Sequence, residues 1–266
     1  MIVRSPTLNV MMSAARKAAR GLVRDFGEVE QLQVSLKGPA DFVSSADIKT
    51  EKLLRQELAK ARPGFGFLLE EGGEVAGSDA SHRWIVDPID GTTNFLHGIP
   101  HFAISIGLER DGEVVAGVVY EPIHDEMFHA EKGAGAFLNE RRLRVSARRK
   151  MEEAVFATGI PFKGRPGHQE FLACAAVVMD NAAGIRRFGS ASLDLAYVAA
   201  GRYEGYWESG IQPWDIAAGI VLVREAGGWV TDFDGGGDML ARGEVVAGND
   251  HLHQPLLKLL RTARAA

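Results

Sequence analysis

Asp87 and Asp90 stand three residues apart in WIVDPIDGTTNFLHGIP (84–100), where an apolar run gives way to Gly91, Thr92 and Thr93. If the run is a strand, Pro88 interrupts its ladder and Asp90-Gly91 forms a sharp turn, so both carboxylates can converge on one point beyond the sheet. Two bare carboxylates at that distance repel. A hard divalent cation with oxygen ligands relieves the repulsion. Thr92 and Thr93 stand where a helix can begin, and their hydroxyls and free N–H groups suit a phosphate. Taken alone, the pair is also explained as a turn cap.

Other acids fall at element ends. Glu70 and Glu71 close the preceding apolar run, and one of them is enough to serve as a ligand. Asp215, in QPWDIAAG, follows Pro213 and Trp214 at the expected first turn of a helix, and Asp47 sits equally early in another after Ser44 and Ser45. Capping or a helix-dipole role explains each of these two by itself, but acids at four element ends point to a shared site. The order D-x-x-D-G-T-T is not the D-x-D-x-T of phosphatases that form an aspartyl-phosphate, so the expected nucleophile is water. There is no G-x-S-x-G, and an aspartic protease needs D-T-G instead of D-G-T. His97 and His101 lie close by and read as packing or surface residues.

These acids need elements to hold them. Apolar spacing predicts helices over Thr7 to Phe26 and Ser45 to Ala61, the second stopped by Pro63 and Gly64. FGFLLEE and RWIVD read as strands, and FAISIGLER and EVVAGVVYEP flank Asp111-Gly112, a strong two-residue hairpin signal. The second half predicts helices through QEFLACAAVVMDNA, ASLDLAYVAAG, Trp214 to Ala226 and LHQPLLKLLRTARA, with strands at YEGYWES, GWVTDF and EVVAGN. Helices and strands alternate without a strict βαβ period, which predicts a mixed α/β protein of stacked sheets and helices.

The 266 residues, 46% hydrophobic and 24% charged, suit one globular domain whose halves, about 1–145 and 146–266, complete a site together. A formal charge of -5 argues against a general nucleic-acid binder. The single cysteine, Cys174, lies in the apolar FLACAAVVM and reads as a core thiol, consistent with a reducing cytoplasm. Arg16, Lys17 and Arg20 interrupt any signal-peptide core, and no run approaches a membrane span.

DPIDGTTNF, the Glu70-Glu71 pair and WDIAAG with EAGG beyond it resemble the inositol monophosphatase family, the lithium-sensitive, magnesium-dependent sugar phosphatases. The resemblance runs from KGPADFVSSAD through GSASLDLAYVAAGRYEGYWE to VVAGN, and is strongest to the bacterial extragenic-suppressor type. One departure is Gly72-Gly73, where the family commonly has serine after its glutamates; it predicts a looser loop.

The resemblance implies a five-layer αβαβα sandwich, usually a homodimer, that hydrolyses inositol 1-phosphate with two or three Mg²⁺ ions. Glu70, Asp87 and the Ile89 carbonyl would hold one ion and Asp87, Asp90 and Asp215 a second, with a third near Glu70. Asp47 and Thr92 would orient the attacking water. Gly91, Thr92 and Thr93 would donate to the phosphate, and Gly189, Ser190, Ala191 and Glu208 would line the sugar or inositol side. Bound cations would let an acidic protein take an anion. An ion pair of Glu208 with Arg202 or Arg186 is the competing account of that residue.

Two alternatives stay open. Fructose 1,6-bisphosphate, with Lys163 or Arg165 of PFKGRPG meeting its second phosphate, is the competing substrate. NERRLRVSARRK, Asn139 to Lys150, carries six basic residues against one acid and reads as a solvated hairpin end or dimer edge, or as a contact for RNA or a transcription complex.

Overall fold

The computed structural model describes residues 4–28, 34–38 and 41–265, with 34–38 and 41–43 described by backbone only. Helix α1 (Pro6–Gly27) starts at the Ser5 cap, whose hydroxyl accepts from the Leu8 N–H at 3.0 Å. A short antiparallel pair, β1 (Val34–Gly38) and β2 (Asp41–Ser44), leads into α2 (Ser45–Ala61). The chain then lays down β3 (Phe65–Leu69), β4 (Gly73–Val75), β5 (Asp79–Asp90), the short α3 (Thr92–Leu96), β6 (Ala103–Arg110), β7 (Glu113–Glu121), β8 (Glu126–Glu131), β9 (Gly135–Leu138) and β10 (Arg141–Arg142). Apart from the β1–β2 pair, these strands form one eight-stranded sheet, ordered β10-β9-β8-β7-β6-β5-β3-β4. The β6–β7 turn at Asp111-Gly112 has φ of 52° and 80°, the left-handed geometry that the dipeptide predicts.

The second half supplies β11 (Val155–Thr158), α4 (His168–Met179), β12 (Gly184–Arg186), α5 (Ala191–Ala199), β13 (Gly205–Ser209), α6 (Pro213–Glu225), β14 (Trp229–Thr231), α7 (Met239–Arg242), β15 (Glu244–Gly248) and α8 (His253–Ala265). Its five strands form a second mixed sheet, ordered β12-β11-β13-β15-β14. The expected helices are present within a few residues. Strands β1, β2, β4, β8, β9, β10, β11 and β12 were not expected; most have two to five residues, which carry too little periodicity to read, and the six-residue β8 was missed as well.

Three apolar cores separate five layers. One joins α1 and α2 to the outer face of the large sheet, and includes Leu8, Met11, Leu22, Trp84 and Val86. A second fills the space between the sheets around α5 and α6, with Ile85, Ala103, Leu195 and Ile216. The third joins the small sheet to α4 and α8, with Phe156, Cys174 and Leu260, so Cys174 is a core thiol as expected. The order is αβαβα. Among the described residues no helix is long and apolar enough to cross a membrane.

The middle layer is packed closely because the large sheet presents glycine to α6 and α6 presents glycine to α5. A Cβ on Gly117 of β7 would lie 2.6 Å from the Ala218 carbonyl, and one on Gly219 of α6 would lie 2.4 Å from Leu195 Cδ1. Helix α6 therefore sits at a depth that side chains would prevent. Overpacking of this kind costs about 1–3 kcal/mol. Gly117→Ala should lower stability by that amount in urea titration, with activity falling at the same time because α6 carries Asp215.

Candidate active site

Residues three apart on a strand normally face opposite ways, yet Asp87 and Asp90 face the same way. Asp87 pairs with Ser105 and Asp90 with Ala103, so β5 contributes one residue more than β6 over this interval. That is a bulge at Pro88-Ile89, and it restores the parity of the two side chains. The strand thus continues to Asp90 through the bulge; it does not stop at Asp87 as the proline suggested. Ile85 and Ala103, on the same face, belong to the core around α5 and α6, so both aspartates point into the middle layer.

Helices complete the cluster from that layer. Asp215 is the third residue of α6, and one of its oxygens accepts from the Gln212 N–H at 2.9 Å in a capping box. The carboxylates of Asp87, Asp90 and Asp215 each offer an oxygen within 4.8 Å of the others. The Ser105 hydroxyl donates to the Trp214 carbonyl at 3.1 Å, tying β6 to the start of α6. Asp90 is held by the start of α5: Ser190 Oγ donates at 2.7 Å, the Ser192 N–H at 2.7 Å and the Ala191 N–H at 3.3 Å. Ile89 N–H donates to Asp87 at 2.9 Å.

Burial pushes Asp87 well above the ordinary carboxylate range, and the charges of Glu70, Asp90 and Asp215 push the same way. Asp215 is raised well above its ordinary value by burial and by Asp90, against the Gln212 N–H. Asp90 is raised by burial, with the Ser192, Ser190 and Ala191 donors opposing. Glu70, in the β3–β4 turn, acts on Asp87 from outside the group of three. A set of buried hard oxygens that repel one another is the donor chemistry of a divalent cation site.

Asp47 also carries two tasks on two oxygens. Its Oδ2 accepts from the Ser44 N–H at 2.8 Å and the Ser44 hydroxyl at 2.6 Å, closing the capping box of α2. The Thr92 hydroxyl has one proton and two acceptors in reach, the Ile89 carbonyl at 3.0 Å and Asp47 Oδ1 at 3.3 Å. Capping and the pairing with Thr92 are therefore compatible. The Gly72-Gly73 turn lies against Glu51. Glu51 accepts from the Glu71 N–H at 2.8 Å, a Cβ on Gly72 would lie 2.9 Å from Glu51, and Gly73 has φ of 67°.

A cavity of about 170 Å³ opens beside the aspartates, and Gly91, Thr92, Thr93, Gly189, Ser190, Ala191 and Glu208 line it together with Asp90 and Asp215. Glu208 accepts a short hydrogen bond from the Tyr206 hydroxyl. Arg202 pairs instead with Glu126, and the Arg186 guanidinium donates to the Ile185 carbonyl, so the competing account of Glu208 as an ion pair with either arginine does not hold. Burial raises Glu208 to about 7, and Asp90 adds to the rise while Tyr206, Arg165 and Arg187 oppose it. Arg165 lines the cavity, with its guanidinium over Phe162 and a 2.6 Å bond to the Gly210 carbonyl; Lys163 is not on the wall.

Three polar side chains of the wall, Asn94, Arg187 and Asp194, were not expected from the sequence, nor were Gly159, Ile160, Phe162 and Ile211. Asn94 donates to the His101 and Phe188 carbonyls, each at 2.7 Å, and so joins two loops at the cavity edge. Asp194 had one legible signal, an acid between Leu193 and Leu195 on an otherwise apolar helix. His101 packs against Phe188 and Tyr197, and burial lowers its pKa to about 4, in keeping with the packing role expected of it.

Two sheets clasping a helical layer, with three carboxylates that could hold a divalent cation and a polar cavity at their junction, are the fold and site of a sugar-phosphatase-type enzyme. The chain belongs to the inositol monophosphatase family, which it matches over residues 3–265. It is 59% identical over 260 residues to the inositol-1-monophosphatase of Rhizobium meliloti, covering 98% of each chain. It is 44% identical to the Nus factor SuhB of Pseudomonas aeruginosa over 96% of each. The solved structure of the extragenic suppressor protein suhB from Bartonella henselae superposes with a TM-score of 0.94 at 60% identity, over 97% of this chain and 99% of that one.

The raised carboxylates set the sign of the pH dependence. A carboxyl whose folded pKa exceeds its unfolded one supports the fold below the unfolded value, and that support is lost as pH rises through the folded value. For Glu208 the window runs from the ordinary 4.5 up to about 7. Metal-free protein should therefore lose melting temperature as pH rises from about 5 to about 8, and a divalent cation should flatten the slope by neutralising the cluster. Thermal melts with chelator and with Mg²⁺ check this.

Proposed function

We propose that this protein hydrolyses phosphate monoesters of small polyols, inositol 1-phosphate foremost, using Mg²⁺ and a water nucleophile. The observation that carries the reading is the convergence of Asp87, Asp90 and Asp215 on one another beside a cavity that Asp90, Asp215 and Glu208 line. Glu70, Asp87, the Ile89 carbonyl, Asp90 and Asp215 would hold two ions, with a third near Glu70. When bound, such ions supply positive charge to attract the phosphate, lower the pKa of water and stabilise the departing alkoxide. Thr92 accepts a hydrogen bond from the attacking water while donating its own proton to Asp47. Gly91, Thr92 and Thr93 donate to the phosphate oxygens, Gly189 to Ala191 form the wall against the polyol, and Glu208 accepts from a ring hydroxyl. By family resemblance the enzyme is lithium-sensitive, homodimeric and cytoplasmic; exposed Ile99 and Phe188, on the loops that Asn94 joins, offer apolar surface for a dimer.

Fructose 1,6-bisphosphate is the competing substrate, and Arg165 and Arg187 on the cavity wall favour it. A second role with RNA or a transcription complex rests on the Pseudomonas relative's name and on the exposed Arg141, Arg142, Arg144, Arg149 and Lys150. Arg148, in the same stretch, is paired with Glu204 at 2.9 Å. Retention on RNA that weakens with salt would support that role, and no retention at low salt removes it.

The phosphatase reading is tested by phosphate release from inositol 1-phosphate, fructose 1,6-bisphosphate and glycerol phosphate, with and without Mg²⁺. Release from inositol 1-phosphate should need the ion and collapse in Asp90→Asn; full turnover under exhaustive chelation sinks the mechanism. Asp47→Asn and Thr92→Ala should each cost about 10²–10⁴ in kcat, and the double variant should cost less than the product. Glu208→Gln should weaken inositol 1-phosphate hydrolysis more than that of glycerol phosphate, and equal losses would make Glu208 structural.

A further inference from the structure

Asp194 is the fourth residue of α5, and its N–H donates to the Ser190 carbonyl at 3.0 Å. Its side chain is 1% exposed, between the core residues Leu193 and Leu195, yet it belongs to the wall of the cavity that Glu208 lines. Its Oδ1 is buried without a hydrogen-bond partner. Burial holds the carboxyl well above its ordinary range, the charges of Glu208 and Asp90 add to the rise, and Arg187 opposes it.

The magnitudes disfavour a purely structural role. A buried polar group left unpaired costs about 1–3 kcal/mol. A favourable position near a helix N-terminus returns about 0.3–1 kcal/mol, less than that cost. Asp194 therefore destabilises the folded chain unless something enters the cavity and pairs with it. The terminal torsion of an aspartate is soft, so the carboxyl can turn an oxygen toward an incoming donor. Glu208 already spends one oxygen on Tyr206, which leaves two carboxyl groups on one wall each with acceptor capacity.

We propose that Asp194 is a specificity-determining residue, accepting a hydrogen bond from a second hydroxyl of the polyol, distinct from the one that meets Glu208. The inference rests on the phosphatase reading above. It makes the cavity selective for leaving groups with at least two hydroxyls, and for an alcohol that carries none the carboxyl remains unsatisfied.

The test compares wild type, Asp194→Asn and Asp194→Leu, all with Mg²⁺, on inositol 1-phosphate and on 4-nitrophenyl phosphate, whose leaving group has no hydroxyl. Melting temperature is measured alongside. The ratio of the two kcat/KM values should fall about tenfold or more in the leucine variant, chiefly through KM, and less in the asparagine variant, which retains one acceptor. The leucine variant should melt at or above the wild-type temperature. An unchanged ratio, a lowered melting temperature in the leucine variant or a leucine chain that fails to fold each overturns the proposal, because each shows the carboxyl serving the fold. Wild type that hydrolyses neither ester overturns the phosphatase reading itself, whereas an unchanged ratio with an active wild type overturns only the role of Asp194.

Discussion

Mutual repulsion among Asp87, Asp90 and Asp215 is the constraint around which the middle of this protein is arranged. Each is drawn out of water beside the others, so each is pushed toward its neutral form. Such a cluster survives in a folded chain only if donors and rigid neighbours hold it open for a cation. Ser190, Ala191 and Ser192 do this for Asp90, the Ile89 N–H for Asp87, and the Gln212 N–H for Asp215.

The chain meets the demand by giving single side chains two tasks. Asp47 uses one oxygen to cap a helix and leaves the other for Thr92, and Asp215 both caps α6 and joins the aspartate cluster. A cap fixes the rotamer of the residue that makes it, so helix formation and site geometry are secured by the same bonds. The glycines at 117 and 219 serve the same end by letting α6 approach the sheet and α5 closely enough to deliver Asp215. Stability and function are therefore coupled through the depth of one helix.

The cavity wall shows the opposite economy. Asp194 is a buried carboxyl and Glu208 a half-buried one that a packed core would replace with leucine or glutamine, and among the described residues neither has an ion-pair partner. Their presence follows the rule that local conflicts with good packing gather where a chain binds something. Here the conflict lies on the wall of the cavity that Asp90 and Asp215 also line.

Much of this was legible in the residues. The helices at 6–27 and 45–61 follow from apolar spacing and serine caps, the Asp111-Gly112 hairpin from its dipeptide, and the acids at element ends announced a cation site, because these signals act within a few residues of themselves. The five-layer sandwich came from resemblance, since pairing β13 with β11 and β15 depends on contacts far apart in sequence. Only the tertiary structure could decide three things. The bulge at Pro88-Ile89 turns Asp87 and Asp90 to one face, which a count of residues would have placed on opposite faces. Arg202, close to Glu208 in sequence, is taken by Glu126 of the large sheet, a contact far apart along the chain, which leaves Glu208 with Tyr206 of its own strand. Asp194 became a wall residue because α5 starts beside Asp90 and lays its first turn along the cavity, a position set by packing between two sheets that no local pattern encodes.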